Sequence, residues 1–258
     1  MAAIRVLISG TGHMGQEVLA AVAREPDLEP VGVLEKFSQE DSLSLPDGSG
    51  LIPMGKDPET LLQRCQPQVV IDFTNSEWTP VVAQAGLRAG ARLVIGTTGL
   101  SDAFLRDLER ECKLKKIGAV VAPNFALGAV LMIHLAKIAA RYFDYAEITE
   151  MHQEKKVDAP SGTALTTAHE IAAARGKPFE RNIPDKETLP GTRGGSYEGV
   201  AIHSVRLPGL VAHQEIVFGG LGQTLTIRHD SNGRDSFIPG VLLATREVMS
   251  CAELIVGL

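Results

Sequence analysis

One short segment past the middle of the chain carries residue types suited to proton transfer and anion binding. His152 ends a predicted strand, and Lys156 follows it four residues later. A histidine can deliver or take a proton near neutral pH, and a lysine supplies a positive point charge. Ser161, Gly162 and Thr163 then open a predicted helix, where hydroxyls and free N–H groups can hold a carboxylate. By themselves these residues indicate either an anion site with a general acid or a capped helix behind a charged loop.

A glycine loop near the N-terminus is typical of a dinucleotide site. Residues 10–15 read Gly-Thr-Gly-His-Met-Gly, directly after a predicted strand and at the start of a predicted helix. In such a loop the first glycine makes the turn, the second lets the backbone approach a pyrophosphate, and the third lets the helix pack on the strand. The helix N-terminus adds free N–H groups and the positive end of its dipole. The expected cofactor contacts are Gly10, Gly12, His13, Met14 and Gly15.

Two charged residues after the second predicted strand are expected to read the adenosine ribose. Glu35 follows Gly15 by twenty residues, which is the spacing at which a carboxylate accepts hydrogen bonds from ribose hydroxyls. Lys36 beside it can counter a 2′-phosphate, so the sequence predicts that both NADH and NADPH are used. The alternative is a tight glycine turn followed by an ordinary surface glutamate.

Three further loops follow predicted strands of the same sheet. In open α/β sheets ligands bind outside the carboxyl ends of the strands, so these loops are expected near the nicotinamide, although each could equally be a plain connection. The expected contacts are Phe73, Gly96, Thr97, Thr98, Ala122, Pro123, Asn124 and Phe125.

The order of the predicted elements indicates an α/β protein. The first half of the chain alternates short β-branched runs with helical patterns, which is typical of a doubly wound parallel sheet. A long, mostly apolar helix is predicted over residues 126–143, and His134 is expected to pack inside it. Longer strands follow with few helices between them, which indicates an antiparallel or mixed sheet. A last predicted helix can return to the first domain.

Composition limits the partners. The chain has 258 residues and a formal net charge of −6, so it lacks the basic field that supports nucleic-acid binding. No apolar run reaches the roughly 20 residues of a membrane span. Three cysteines lie far apart, without metal-ligand spacing or a disulfide pattern. We expect a cytoplasmic protein with no metal and no nucleic-acid or membrane partner.

The chain resembles a known family of reductases. Residues 150–164 read EMHQEKKVDAPSGTA and are similar to the signature, ending in D-A-P-S-G-T-A, of the 4-hydroxy-tetrahydrodipicolinate (dihydrodipicolinate) reductases of the diaminopimelate–lysine pathway. The resemblance covers nearly the whole chain. It also rests on the glycine loop, residues 72–74, 96–99 and 122–125, and His229 with Arg234.

The resemblance implies a fold, an assembly and a reaction. It implies a Rossmann-like dinucleotide-binding domain over residues 1–124 and 235–258. It further implies an α+β substrate-binding and oligomerisation domain with a mixed sheet over residues 125–234, and a homotetramer. The implied reaction is the NADPH- or NADH-dependent reduction of a small dicarboxylate imine.

The resemblance also implies roles for individual residues. His152 matches the family's proton donor and Lys156 the lysine that accompanies it, while Ser161, Gly162 and Thr163 match the residues that hold a substrate carboxylate. Three positions depart from the family pattern. Gln153 stands where a second, substrate-contacting histidine is usual, His13 replaces the usual arginine of the glycine loop, and Gln223 replaces a common glutamate near the carboxyl end.

Two other functions remain open from the sequence. One is a different NAD(P) reductase or dehydrogenase acting on an amino or imino acid, because one fold hosts many reactions. The other is a non-catalytic dinucleotide-binding sensor. Retention of both His152 and Lys156 disfavours the sensor, which has no need of a proton donor.

Overall fold

The computed structural model describes residues 2–258 of the chain. Two structural units are present: the chain up to Leu127 together with Arg234–Leu258 forms one, and Gly128–Gly233 forms the other. The first is built on a mostly parallel sheet and the second on a mixed sheet. The predicted α/β fold class, with its Rossmann-like domain and its second, mixed sheet, is confirmed.

Strands and helices cover most of the described residues. The strands are β1 (Ile4–Ser9), β2 (Leu28–Leu34), β3 (Ser42–Ser44), β4 (Leu51–Gly55), β5 (Val69–Asp72), β6 (Arg92–Ile95), β7 (Ala119–Val121), β8 (Tyr145–His152), β9 (Gly195–Tyr197), β10 (Val200–Arg206), β11 (Ala212–Gly220), β12 (Gln223–Ser231) and β13 (Leu254–Val256). The α-helices are α1 (His13–Arg24), α2 (Pro58–Cys65), α3 (Thr79–Arg88), α4 (Asp102–Lys115), α5 (Leu127–Ala139), α6 (Gly162–Arg175) and α7 (Ile238–Glu247). Two short 3₁₀ helices span Arg234–Phe237 and Val248–Ser250.

The first sheet brings the carboxyl ends of five parallel strands side by side. Its strand order is β13-β7-β6-β5-β1-β2-β4-β3, and every pairing is parallel except that of β3 with β4. The loops after β2, β1, β5, β6 and β7 therefore follow one another along a single edge of the sheet. The predicted cofactor contacts lie in these loops.

Alternating side chains on the central strands explain why this sheet is covered on both faces. Val6 and Ile8 of β1 belong to a buried cluster with Val18 of α1, while Leu7 belongs to a second cluster with Leu62 of α2. Burying one such side chain contributes roughly 1.5–3 kcal/mol. Strands buried on both faces read as continuous apolar runs, which is why they were predictable.

The second unit has a five-stranded sheet with helices packed on one face. Its order is β12-β11-β8-β10-β9, and only the β8–β10 pairing is parallel. Met132 of α5 and Ile171 of α6 are buried against Ile148 of β8. The expectation that His134 is packed inside its helix is wrong: it lies on the exposed side of α5, which ends at Ala139 rather than near residue 143.

The glycine-rich segment before β10 is anchored to this sheet. β9 pairs antiparallel with β10, and Arg193 forms an ion pair with Glu147 of β8. Gly194 has φ +66°, and a Cβ there would lie 2.5 Å from the carbonyl oxygen of Ile202, so only glycine fits. The segment therefore forms the edge of the sheet. Among residues 2–258, no helix is both long enough and apolar enough to cross a membrane.

Candidate active site and dinucleotide site

The glycine loop has the geometry that a pyrophosphate requires. Gly10 has φ +99°, and a Cβ on Gly15 would collide with the carbonyl oxygen of Gly10, so both positions require glycine. Gly12 precedes α1 without a side-chain cap, and a Cβ there would meet no heavy atom within 4 Å. The start of α1 is thus uncapped and has open space beside Gly12, and the first N–H groups of a helix can bind phosphate there.

Glu35 ties the end of β2 to the glycine loop. Its Oε2 accepts hydrogen bonds from the Thr11 N–H at 2.9 Å and the Thr11 hydroxyl at 2.7 Å, and its Oε1 accepts one from the Phe37 N–H at 3.3 Å. Partial burial works to raise the pKa of Glu35, but these hydrogen bonds outweigh it and hold the pKa below its usual value. The carboxylate is ionised and suited to accept ribose hydroxyls.

Lys36 lies against aromatic rings at the same end of the sheet. Its Nζ is 5.3 Å from the centroid of the Trp78 ring and 5.6 Å from that of the Phe37 ring. Both distances fall within the range of a cation–π interaction. Trp78 precedes α3 and belongs to no motif, so it was not predictable from the sequence.

The loops after β5 and β6 are joined by a buried carboxylate. Asp72 is 2% exposed and accepts hydrogen bonds from the hydroxyls of Thr74 at 2.9 Å, Thr79 at 2.5 Å and Thr97 at 2.9 Å. The hydroxyl of Thr97 is used in this network and its side chain is buried. Thr97 therefore shapes the loop, and the exposed side chain that follows it is Thr98.

Several predicted cofactor contacts can offer only backbone atoms. Ala122 and Phe125 are each 1% exposed, so their side chains belong to the core. Phe125 packs against Phe73 with ring centroids 5.5 Å apart, and a Cβ on Gly96 would collide with the Phe73 ring. Pro123 is exposed and Asn124 is half-buried. The loop surface available to a ligand is thus smaller than the sequence suggested.

In the second unit, His152 is paired with a buried carboxylate. Glu150 and His152 are two residues apart on β8 and so share a face of the sheet. His152 Nδ1 lies 2.5 Å from Oε2 of Glu150, which is fully buried. Because a carboxylate only accepts hydrogen bonds, Nδ1 carries the hydrogen and Nε2 is the nitrogen left for a ligand.

Opposing effects act on the two titrating groups. Burial lowers the pKa of His152, the Glu150 carboxylate works to raise it, and the charges of Lys156 and Arg206 add to the lowering. Burial works to raise the pKa of Glu150, but hydrogen bonds from Arg206 and His152 outweigh it and hold the pKa below its usual value. Glu150 is therefore ionised, and His152 can change its charge without leaving its partner.

Arg206 joins Glu150 to the reactive loop. Its Nη1 donates to Glu150 Oε2 at 3.0 Å and its Nη2 to Oε1 at 2.8 Å, and Nη2 also donates to the Asp158 carbonyl oxygen at 2.7 Å. Asp158 in turn accepts an ion pair from Lys156, whose Nζ is 2.7 Å from Oδ1. Lys156 is thus held in a half-buried position, and Gln153 at the start of the loop is exposed.

The start of α6 is already partly occupied by the protein's own groups. Ser161 is 2% exposed, and its hydroxyl accepts from the Ala164 N–H at 3.2 Å. The Ser161 N–H donates to Glu150 at 3.3 Å. Gly162 is exposed and Thr163 half-buried, so these two residues present the accessible part of the helix start.

The structure also identifies residues that the sequence analysis did not assign. Glu150 stands in the quoted signature, and its spacing of two from His152 on a strand was the signal that could have revealed it. Arg206 and Asp72 reach their sites through strand order, which the sequence does not display. Among residues 2–258, no group of three His, Cys, Asp or Glu side chains could hold a metal ion.

The fold and the glycine loop define a class of protein, the dinucleotide-dependent oxidoreductases. Comparisons with known proteins identify the family. Residues 4–125 match the model described as dihydrodipicolinate reductase, N-terminus, and residues 128–258 match the corresponding C-terminus model. The chain belongs to the dihydrodipicolinate reductase family.

Individual relatives agree with this assignment. A 4-hydroxy-tetrahydrodipicolinate reductase from Dehalococcoides mccartyi is 45% identical over 100% of this chain and 98% of its own length. One from Moorella thermoacetica is 44% identical over 100% of this chain and 97% of its own length. A dipicolinate-bound dihydrodipicolinate reductase from Paenisporosarcina sp. TG-14 superposes with a TM-score of 0.90 at 44% identity, over 99% of this chain and 98% of that one.

Proposed function

We propose that this chain catalyses the NAD(P)H-dependent reduction of 4-hydroxy-tetrahydrodipicolinate to tetrahydrodipicolinate, a step of lysine biosynthesis through diaminopimelate. The observation that carries the proposal is the assembled acid of the second unit. His152 is held at Nδ1 by the buried carboxylate of Glu150, and the start of α6 is bonded to that carboxylate directly. The loop of Lys156 is joined to it through Arg206. A non-catalytic sensor has no use for such an acid.

Side chains of the second unit match the charge of the substrate. The substrate carries two carboxylates, and Lys156 with the N–H groups of Gly162 and Thr163 supplies positive charge and donors for one of them. The exposed Gln153 offers an amide at the position expected to contact substrate. These groups bind and orient the ring before reaction, and Lys156 stabilises negative charge as it develops.

His152 supplies the proton that the reaction consumes. The substrate loses water to give a conjugated ring, which then takes up a hydride and a proton. When bound, the nicotinamide cofactor supplies the hydride. The His152 imidazolium gives its proton from Nε2, because Nδ1 remains bonded to Glu150. The ionised carboxylate of Glu150 stabilises the imidazolium form of His152 before the proton is transferred to the substrate.

The first unit fits the cofactor, NADPH or NADH. The uncapped start of α1 and the space beside Gly12 suit the pyrophosphate. Glu35 accepts ribose hydroxyls, and Lys36 is placed to pair with a 2′-phosphate. The remaining contacts come from His13, Met14 and the loops after β5, β6 and β7.

Subunit contacts and location are part of the proposal. Buried and half-exposed residues alternate along β8 and β11, so the face of the second sheet away from its helices is open. The edge strand β12 has nine residues and pairs with β11 on one side only. Open faces and long edges of this kind favour pairing with another chain. We assign these surfaces to a homotetramer, which light scattering on the purified protein would test. The three free cysteines suit a reducing compartment, the cytoplasm.

A coupled assay tests the proposed reaction. Pyruvate and aspartate semialdehyde are first condensed enzymatically, and the oxidation of NADH or NADPH by this protein is followed by absorbance. We expect the cofactor to be oxidised only when both pyruvate and aspartate semialdehyde have been supplied to the condensation. We also expect dipicolinate to inhibit competitively against the imine. If the cofactor is oxidised only with other imines, the proposed substrate is wrong. If the cofactor binds but is not oxidised with any imine, the protein is a sensor.

A further inference from the structure

The buried carboxylate of Glu150 is hydrogen-bonded to several parts of the proposed acid site. It bonds the His152 ring, both terminal nitrogens of Arg206 and the N–H of Ser161. These partners lie on β8, on β10 and at the start of α6. A carboxylate is costly to bury unless its charge is paired and its oxygens are hydrogen-bonded, and here both conditions are met.

We infer that Glu150 and Arg206 form a positioning pair for the proposed reduction, with Glu150 setting the tautomer and charge of His152 and Arg206 holding the loop that carries Lys156. The inference rests on the proposed function, because that function makes His152 the acid. Neither member of the pair contacts the substrate in this assignment. Each acts through a neighbouring residue.

The role of Glu150 follows from the chemistry of imidazole. A neutral ring has one donor and one acceptor nitrogen, and the carboxylate accepts only, so the 2.5 Å contact selects the tautomer protonated at Nδ1. Nε2 is then the nitrogen that gains a proton when His152 becomes charged and gives it up in the reaction. Without Glu150 the hydrogen of the neutral ring is free to lie on either nitrogen, and the tautomer protonated at Nε2 cannot take up a proton there.

The role of Arg206 follows from its bridging contacts. It lies opposite His152 in the parallel pairing of β10 with β8. One of its nitrogens bonds both Glu150 and the Asp158 carbonyl oxygen, and the Asp158 side chain pairs with Lys156. A planar guanidinium can make these bonds at once, which the point charge of a lysine cannot. The chain of contacts therefore runs from the acid to the anion-binding lysine.

The charges around His152 determine the expected pH dependence. Glu150 faces it from β8, Arg206 from β10 and Lys156 from the following loop, while β11 places Ala212 opposite it. Burial lowers the pKa of His152 and Glu150 opposes that lowering. Removing the charges of both Glu150 and Arg206 is therefore expected to lower the pKa of His152 further. The neutral ring can then adopt either tautomer.

The test uses variants of the full chain and a readout that needs no substrate. Glu150→Gln alone leaves a buried positive charge unpaired, so Glu150→Gln is also combined with Arg206→Met to remove both charges. Glu147→Gln is the matched control: it lies on the same strand, and Glu147 is bonded to His203 on the opposite face. Nitrogen NMR of the histidine rings reports tautomer and protonation, and the His152 signal is identified by its loss in His152→Gln.

We expect His152 to be protonated at Nδ1 in the unsubstituted protein and in Glu147→Gln. In the double variant we expect mixed tautomers, titration at lower pH, and a kcat roughly 10- to 100-fold lower whose pH profile moves to lower pH in parallel. Arg206→Lys keeps the charge but loses a bond, so it should raise KM roughly 3- to 10-fold with His152 signals unchanged.

An unchanged tautomer and titration of His152 in the double variant would overturn the inference, as would a loss of kcat with no movement of the pH profile. Either result would leave the pair with a structural role only. Failure of the proposed function would look different: the unsubstituted protein would not oxidise the cofactor with this substrate, whereas the NMR readout would still report the tautomer.

Discussion

Two helices of this protein begin at predicted anion sites, and the two starts are built differently. The start of α1 has no side-chain cap, and Gly12 leaves open space beside it. The start of α6 is capped by the Ser161 hydroxyl, and the N–H of Ser161 is bonded to Glu150. The N–H groups at the start of α1 remain available to a ligand. At the start of α6, some N–H groups are already hydrogen-bonded to the protein's own side chains.

The two sites gain specificity in different ways. A pyrophosphate is bound mainly by backbone N–H groups. The site at α1 therefore depends on glycine residues and on open space beside them more than on particular side chains. The site at α6 must hold a proton donor in one orientation, and it does so with a buried charge network around His152. Substitutions should therefore affect binding at the first site and turnover at the second.

The largest effect is expected from His152→Gln. A proton donor acts mainly in the transition state, so kcat should fall roughly 10²- to 10⁴-fold with a smaller change in KM. Binding of NADPH, measured by titration, should be unchanged because α1 lies in the other unit. The control is His169→Gln, an exposed histidine on α6, which should retain full activity. Equal losses in the two variants would contradict the assignment.

Gly12→Ala should break the first site without harming the fold. Gly12 has φ −65°, which any residue adopts, and a Cβ there meets no protein atom, so the melting temperature should hold. The added methyl would fill space needed by the pyrophosphate and weaken both cofactors by about 1–3 kcal/mol. Gly15→Ala, in contrast, collides with Gly10 and should lower the melting temperature. Unchanged cofactor affinity in Gly12→Ala would place the pyrophosphate elsewhere.

Lys36→Ala should separate the two cofactors. Loss of one charge-assisted contact should weaken NADPH by about 1–2 kcal/mol, or roughly 5- to 30-fold, and leave NADH nearly unchanged. Trp78 is the only tryptophan of the chain and lies against Lys36, so its fluorescence can follow both titrations. Lys115→Ala, at the exposed end of α4, is the control. Equal losses for NADH and NADPH would show that Lys36 does not read the phosphate.

The smallest effect is expected from Thr163→Val at the start of α6. Removing one hydroxyl hydrogen bond should weaken dipicolinate by about 0.5–1.5 kcal/mol, as measured by calorimetry. Thr166→Val, exposed on the same helix, should bind dipicolinate normally. If Thr163→Val also binds normally, the threonine only supports the helix start, and the carboxylate is held by backbone and Lys156.

The sequence predicted most of the fold because the buried strands are continuous apolar runs. It did not predict β4, which is interrupted by Pro53, or the strands β3, β9 and β13, which have only three residues each. Short or interrupted strands carry too little periodicity to be recognised from a single chain.

The site was only partly predictable for a related reason. The glycine loop is readable because its contacts are local, and the start of α6 because capping residues are adjacent in sequence. Arg206 reaches Glu150 from 56 residues away through the pairing of β10 with β8. The burial of Thr97 and Phe125 likewise depends on neighbours from other strands, which the sequence alone does not display.

The role of His152 as proton donor can be tested by the pH dependence of kcat/KM in the unsubstituted protein and in His152→Gln. The reaction requires the imidazolium form of His152, so activity should be present below the pKa of His152 and lost as the pH rises through that pKa. Because burial lowers the pKa of His152, the loss begins below the usual histidine range. A bound dianionic substrate raises the pKa, so the fall in kcat should occur at higher pH than the fall in kcat/KM. In His152→Gln the residual activity should show no fall in this range. A His152→Gln profile that keeps both its height and its fall would contradict the account.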